Sequence, residues 1–117
     1  MPTIAIVEDD PSMLQGLNRL LSARGYIVES FNSAESFLAA AVNSKATCLL
    51  LDIQLGGISG LELKRRLTSS GSNVPVIFMT GVNNEAVRQE AVDVGCVTLL
   101  KKPFLAKLLI DAIEAVV

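Results

Sequence analysis

The chain of 117 residues has no histidine, no tryptophan and only two cysteines. Without histidine it lacks the usual general base, the commonest zinc ligand and any phosphohistidine donor role. Its chemistry must therefore rest on carboxylates, Lys, Ser/Thr or a bound metal. Cys48 lies in an apolar run and Cys96 follows a glycine, with no metal-ligand spacing, so both read as buried free thiols rather than a disulfide. Long apolar runs are also missing. Thr47-Cys48-Leu49-Leu50-Leu51 is strand-sized, far short of the ~18 residues that suggest a membrane span. The start, Met1-Pro2-Thr3-Ile4, has no basic region leading into an apolar stretch, so no secretory signal is read and a cytoplasmic location is expected. Net charge is −2 with ten scattered basic residues, which gives no electrostatic footprint for nucleic acid. DNA binding would need another domain.

What is present is a well-mixed globular sequence. A hydrophobic fraction of 50% against 19% charged residues argues for one ordered domain over residues 1–117. Apolar or β-branched runs at Thr3–Val7, Tyr26–Phe31, Thr47–Leu51, Pro75–Met79 and Thr98–Leu100 predict five strands. Helical periodicity fills the gaps. The first helix starts at Pro11 behind an Asp10 cap, with Leu14, Leu17 and Leu21 on one face. Ser33 caps a helix to Ala41, Ser59 one from Gly60 to about Thr68, and Asn83 or Asn84 one ending at Gly95. The last runs from Leu105 to Val117, with Leu105, Leu108, Leu109, Ala112, Ile113 and Val116 as its core stripe. Strict alternation with continuously apolar strands predicts an α/β doubly wound parallel sheet, flavodoxin-like in order 2-1-3-4-5, with helices on both faces.

Such sheets bind ligands at the carboxyl ends of the strands. There the sequence reads Glu8-Asp9-Asp10, Asp52, Thr80-Gly81 and Lys101-Lys102-Pro103-Phe104. Asp10 is sufficiently explained as a helix cap. Carboxylates from two neighbouring strand ends are harder to dismiss, because like charges ~4 Å apart repel by about 1 kcal/mol in water and ~4 kcal/mol at an effective dielectric of 20. A few hard oxygens with room for water suit Mg²⁺, which would offset that repulsion and leave Asp52 available as a nucleophile. Lys102 adds a compact positive charge and Thr80 a hydroxyl donor.

The motifs Val7-Glu8-Asp9-Asp10-Pro11, Leu51-Asp52-Ile53, Phe78-Met79-Thr80-Gly81 and Lys102-Pro103-Phe104 resemble those of response regulator receiver domains, in the right order and across the whole chain. The resemblance implies that Asp52 is the phosphoacceptor, with Mg²⁺ (or Mn²⁺ as a substitute) held by Asp9 and Asp52 directly, by Glu8 through water, and by the Gln54 backbone carbonyl. It makes Thr80 the switch hydroxyl and Gln54 and Gly81 backbone contacts to the phosphoryl group. Lys102 pairs with that group and precedes a cis peptide to Pro103. It further implies a sensor histidine kinase or phosphotransfer protein as donor, and a fused or separate output domain, of transcriptional type. A phosphorylation-dependent homodimer through the last two helices belongs to the same implication. The protein would be a switch that phosphorylates and dephosphorylates itself rather than a conventional enzyme. The Phe78–Gly81 run is similar to that of receivers fused to LuxR-type helix-turn-helix domains.

Three positions depart from the family pattern. Leu99 stands where an aromatic switch residue is common. Gly56, followed by Gly57, stands where proline is common, which predicts a looser loop with altered metal or partner contacts. Val82 is apolar where a polar side chain could position water, so slow self-dephosphorylation is expected. Ile110 and Val117 lie off the core stripe and read either as core edge or as an apolar patch reaching toward the fourth helix. Two other readings stay open: a receiver-like interaction module that is never phosphorylated, and an aspartyl-phosphate phosphatase or flavodoxin-like cofactor domain. Asp52-Ile53-Gln54 has no second acid two residues on, and no Gly-rich phosphate loop follows the first strand.

Overall fold

The computed structural model describes residues 2–117. Five strands, β1 (Thr3–Val7), β2 (Ile27–Phe31), β3 (Cys48–Asp52), β4 (Val76–Thr80) and β5 (Thr98–Lys101), alternate with helices α1 (Pro11–Ala23), α2 (Ala34–Ala40), α3 (Gly60–Ser69), α4 (Glu85–Val94) and α5 (Ala106–Glu114). A short 3₁₀ turn, Ala41–Asn43, prolongs α2. All strand pairs are parallel and the sheet order is β2-β1-β3-β4-β5, as the alternation predicts.

The two-residue period of a strand splits the core in two. Ile4, Ile6, Cys48, Leu50, Ile77 and Met79 pack under Leu17 and Leu21 of α1 and Leu109, Ile110 and Ile113 of α5. Ala5, Val7, Leu49, Leu51, Val76 and Phe78 pack under Phe37 of α2, Leu63 and Leu67 of α3 and Ala91 of α4. Strands β1, β3 and β4 are buried along their whole length, which explains why they read as unbroken apolar runs.

Caps set most of the helix starts. Asp10 accepts from the Ser12 and Met13 amides, Ser33 from Ser36, Ser59 from Glu62, and Asn84, rather than Asn83, from Ala86. Several predicted boundaries move by a residue or more. Asp52 and Thr80 close their strands instead of following them, because their backbones stay in register, Asp52 with Met79 and Thr80 with Lys101. Tyr26 precedes β2, its amide bonded back to the Leu21 carbonyl. At the far end α5 is shorter than its hydrophobic pattern, and Leu105 is the uncapped residue before it.

The surface of α5 also differs from the predicted stripe. Leu105 and Leu108 are 72% and 51% exposed, whereas Ile110 is 4% exposed and sits in the core. Beginning the helix one residue later does not alter its phase; the sheet simply covers the Leu109–Ile110–Ile113 face, so Ile110 is core edge and Val117 remains exposed. Cys48 is buried, its thiol pushed up to about 11 by desolvation, and Cys96 is only half-buried; both are free.

Candidate functional site

Sheet register brings the two buried acids together. Ile6 pairs with Leu50 between β1 and β3, so two residues on, Glu8 and Asp52 emerge side by side on the same face, one strand spacing of ~4.8 Å apart. Both are buried, as is Thr80 at the end of β4. The loop after β5 delivers the fourth group, and the Lys102–Pro103 peptide is cis, as the resemblance implies. Lys102 Nζ donates to Glu8 Oε1 at 2.6 Å and to Asp52 Oδ2 at 3.0 Å.

This arrangement is a half-buried cation between two buried carboxylates. Desolvation raises the Glu8 carboxyl from 4.5 to about 7, aided by its neighbour Asp52 and opposed by Lys102 and the Asp10 amide. For Lys102, burial works against the charge, yet the hydrogen bonds to Glu8 and Asp52 outweigh it and raise its pKa. The ammonium is therefore held charged. Every described buried side-chain polar atom has a hydrogen-bond partner.

Glu8, Asp9 and Asp52 each offer a carboxylate oxygen, all within 4.8 Å of one another. Three hard oxygen donors, two buried and one exposed on the crevice rim, fit a divalent cation that keeps part of its water. Asp9 meanwhile accepts from the Gly56 amide at 3.3 Å. Asp10 lies outside this cluster as the α1 cap, with its amide donating to Glu8 Oε2 at 3.1 Å.

The β3–α3 loop is more tethered than its glycines suggest. Gly57 alone of the pair has positive φ, at 77°. The Leu55 side chain is buried in the core, and the Ile58 amide donates to Glu35 Oε2 at 3.1 Å, which holds that carboxyl below its ordinary value. Gly60 packs directly on the Asp52 carbonyl, so close that a Cβ would collide with backbone. Neither Glu35 nor the packing role of Gly60 was legible in sequence; a glycine opening the helix that follows the loop after Asp52 is the only hint.

Gln54 also does more than its sequence position suggests. Its amide donates to Asp52 Oδ1 at 3.1 Å, and its side-chain Oε1 accepts from the Thr80 hydroxyl at 2.9 Å and the Gly81 amide at 3.2 Å. Val82, 40% exposed, donates its amide to Thr80 Oγ1 at 3.0 Å. Leu99 is half-buried against the Phe78 side of the core.

The family model of the response regulator receiver domain matches residues 4–114. The chain is 36% identical over 112 residues to the response regulator protein TodT of Pseudomonas putida, covering 96% of this chain and 49% of TodT. It is 33% identical over 114 residues to the transcriptional regulatory protein FixJ of Bradyrhizobium diazoefficiens, covering 97% of this chain and 56% of FixJ. The crystal structure of FixJ-N superposes with a TM-score of 0.90 at 34% identity, over 97% of this chain and 91% of that one. A CheY-like receiver domain protein from Methanospirillum hungatei gives 0.91 at 26% identity, over 98% and 92%. The chain spans about half the length of the curated relatives it matches. With four motif-bearing strand ends converging on one acidic crevice in this fold, the chain belongs to the response regulator receiver-domain family of two-component signalling.

Proposed function

We propose that this domain, residues 1–117, is a phosphoacceptor switch in which Asp52 takes a phosphoryl group from the phosphohistidine of a partner kinase or phosphotransfer protein. The observation that carries the reading is the Lys102 ammonium bonded to both Glu8 and Asp52, with Asp9 and Thr80 on the same crevice. An Asp52 carboxylate oxygen attacks phosphorus; the new P–O bond forms as the P–N bond to the donor imidazole breaks, and the imidazole leaves with that electron pair. No general base is needed, because a carboxylate has no proton to lose, which suits a chain without histidine.

A Mg²⁺ held by Asp9, Asp52, the Gln54 carbonyl and, through water, Glu8 would supply charge neutralisation for the incoming phosphoryl oxygens, a task Mn²⁺ could share. Lys102 then turns its ammonium from the acids toward the phosphoryl group, and Thr80 and Gly81 donate to it. Those charge-assisted bonds exist only in the phosphorylated state, so they bias a two-state equilibrium toward it. Taking a state from 1% to 99% requires ~5.5 kcal/mol of such discrimination. An apolar Val82 leaves no side-chain group to orient attacking water, which supports slow self-dephosphorylation. A cytoplasmic location and a transcriptional output domain beyond this chain complete the reading.

Incubation with acetyl phosphate and Mg²⁺, followed by intact-mass measurement, tests it. One added phosphate that disappears in Asp52→Ala is the expected result. No adduct at any Mg²⁺ concentration would instead favour a receiver-like interaction module that signals by binding alone.

A further inference from the structure

Gln54 is fastened to both halves of the crevice. Its backbone amide is bonded to Asp52 on β3, while its side-chain oxygen takes the Thr80 hydroxyl at the end of β4 and the Gly81 amide just after it. The Gly81 amide is a donor only, so the carboxamide must present its oxygen there, and the Thr80 hydroxyl then donates to the same oxygen. A hydroxyl and an amide N–H converging on one point form a small oxyanion-type pocket. The Thr80 hydroxyl is buried and oriented by the Val82 amide; its other acceptor within reach, the Val82 carbonyl, is at 3.5 Å against 2.9 Å for Gln54, so without Gln54 it would keep only the longer and weaker bond.

We propose that the Gln54 carboxamide is a built-in surrogate for a phosphoryl oxygen. In the unmodified protein it fills the acceptor position at which Thr80 and Gly81 aim, keeps the Thr80 hydroxyl turned into the crevice, and is displaced when Asp52 is phosphorylated. The proposal rests on Asp52 being the phosphoacceptor. Displacement is favourable because a charged phosphoryl oxygen makes shorter bonds, roughly twice as strong as those of a neutral amide. Phosphorylation therefore exchanges the acceptor of Thr80 rather than recruiting an idle hydroxyl, and it releases the Gln54 side chain to the rim. A polar donor pocket already satisfied from within also lowers the gain from phosphorylation.

Gln54→Met keeps the side-chain length and removes the acceptor at an exposed position, leaving the backbone carbonyl in place. In metal-free, unmodified protein the Gly81 amide proton should move upfield and exchange faster in Gln54→Met than in wild type. With Mg²⁺ and beryllium fluoride as phosphoryl mimic, the two proteins should converge on one Gly81 signal. The variant should bind the mimic about 2- to 10-fold more tightly, the equivalent of one net hydrogen bond no longer displaced. An identical Gly81 amide in the two unmodified proteins, or a difference that persists with the mimic bound, overturns the surrogate. An acetyl phosphate adduct on Asp52 together with no Gly81 difference would sink the surrogate alone. No adduct and no mimic binding would sink the phosphoacceptor reading, and the surrogate with it.

Discussion

Among single residues Lys102 carries the greatest electrostatic burden, since it bridges two carboxylates that are 0% and 4% exposed. Lys102→Met should lower metal-free stability by about 3 kcal/mol, because removing one partner of a buried ion pair strands the other charges. Urea unfolding measures this, and added Mg²⁺ should restore more stability to the variant than to wild type. Glu8 sets a pH dependence of opposite sign to the usual carboxylate. Its folded pKa of about 7 lies above its ordinary 4.5, so between those values the folded state holds a proton that the unfolded state has lost. Stability from this group is full below pH 4.5 and is lost as pH rises toward 7. The wild-type stability minus that of Glu8→Gln, measured without metal, should therefore fall across that window; a constant difference would contradict the assignment.

At the scale of elements, the site depends on how closely α3 and the β3–α3 loop approach β3. Gly60→Ala would drive a Cβ into the Asp52 carbonyl, and neither backbone can yield without opening the crevice. The variant should lose about 1–3 kcal/mol, the cost of overpacking, and its acetyl phosphate adduct should form more slowly than wild type. The Gly56 amide holds Asp9. Gly56→Pro removes that donor, frees the Asp9 carboxylate and should change Mg²⁺ affinity in calorimetric titration; unchanged affinity would show that the contact does not compete with metal. These effects arise from loop tethers at Asp9, Glu35 and Leu55, which neither the glycine content nor the loop length announces.

For the whole molecule, no helix among the described residues is long and apolar enough to cross a membrane, and the exposed large apolar side chains are scattered, Ile27 and Val42 among them, with some near the last two helices. Leu108 on α5, Leu105 just before it and Val92 on α4 are exposed, while Ile110 lies in the core. Our reading of a phosphorylation-dependent homodimer through the last two helices therefore passes to Leu108 and Leu105. Sedimentation equilibrium should show a mass increase with beryllium fluoride that Leu108→Glu abolishes. One unchanged mass with and without the mimic would overturn the proposed dimer.

Periodicity and punctuation determined the fold: strands buried on both faces had to be continuously apolar, and Asp10, Ser33 and Ser59 announced the helix starts they cap. The same local logic placed Glu8, Asp9, Asp52, Thr80 and Lys102 at strand ends, because parallel topology leaves chemistry nowhere else to gather. Only the tertiary structure decided what those residues touch. Register aligned Glu8 with Asp52 and set Lys102 between them, and Gln54, assigned from sequence only backbone roles, turned its side chain onto Thr80 and Gly81. Those contacts join residues 26 and 27 positions apart in the chain, and Lys102 reaches across 94 positions to Glu8. Distances of that kind are set by the packing of whole strands, which no local pattern encodes.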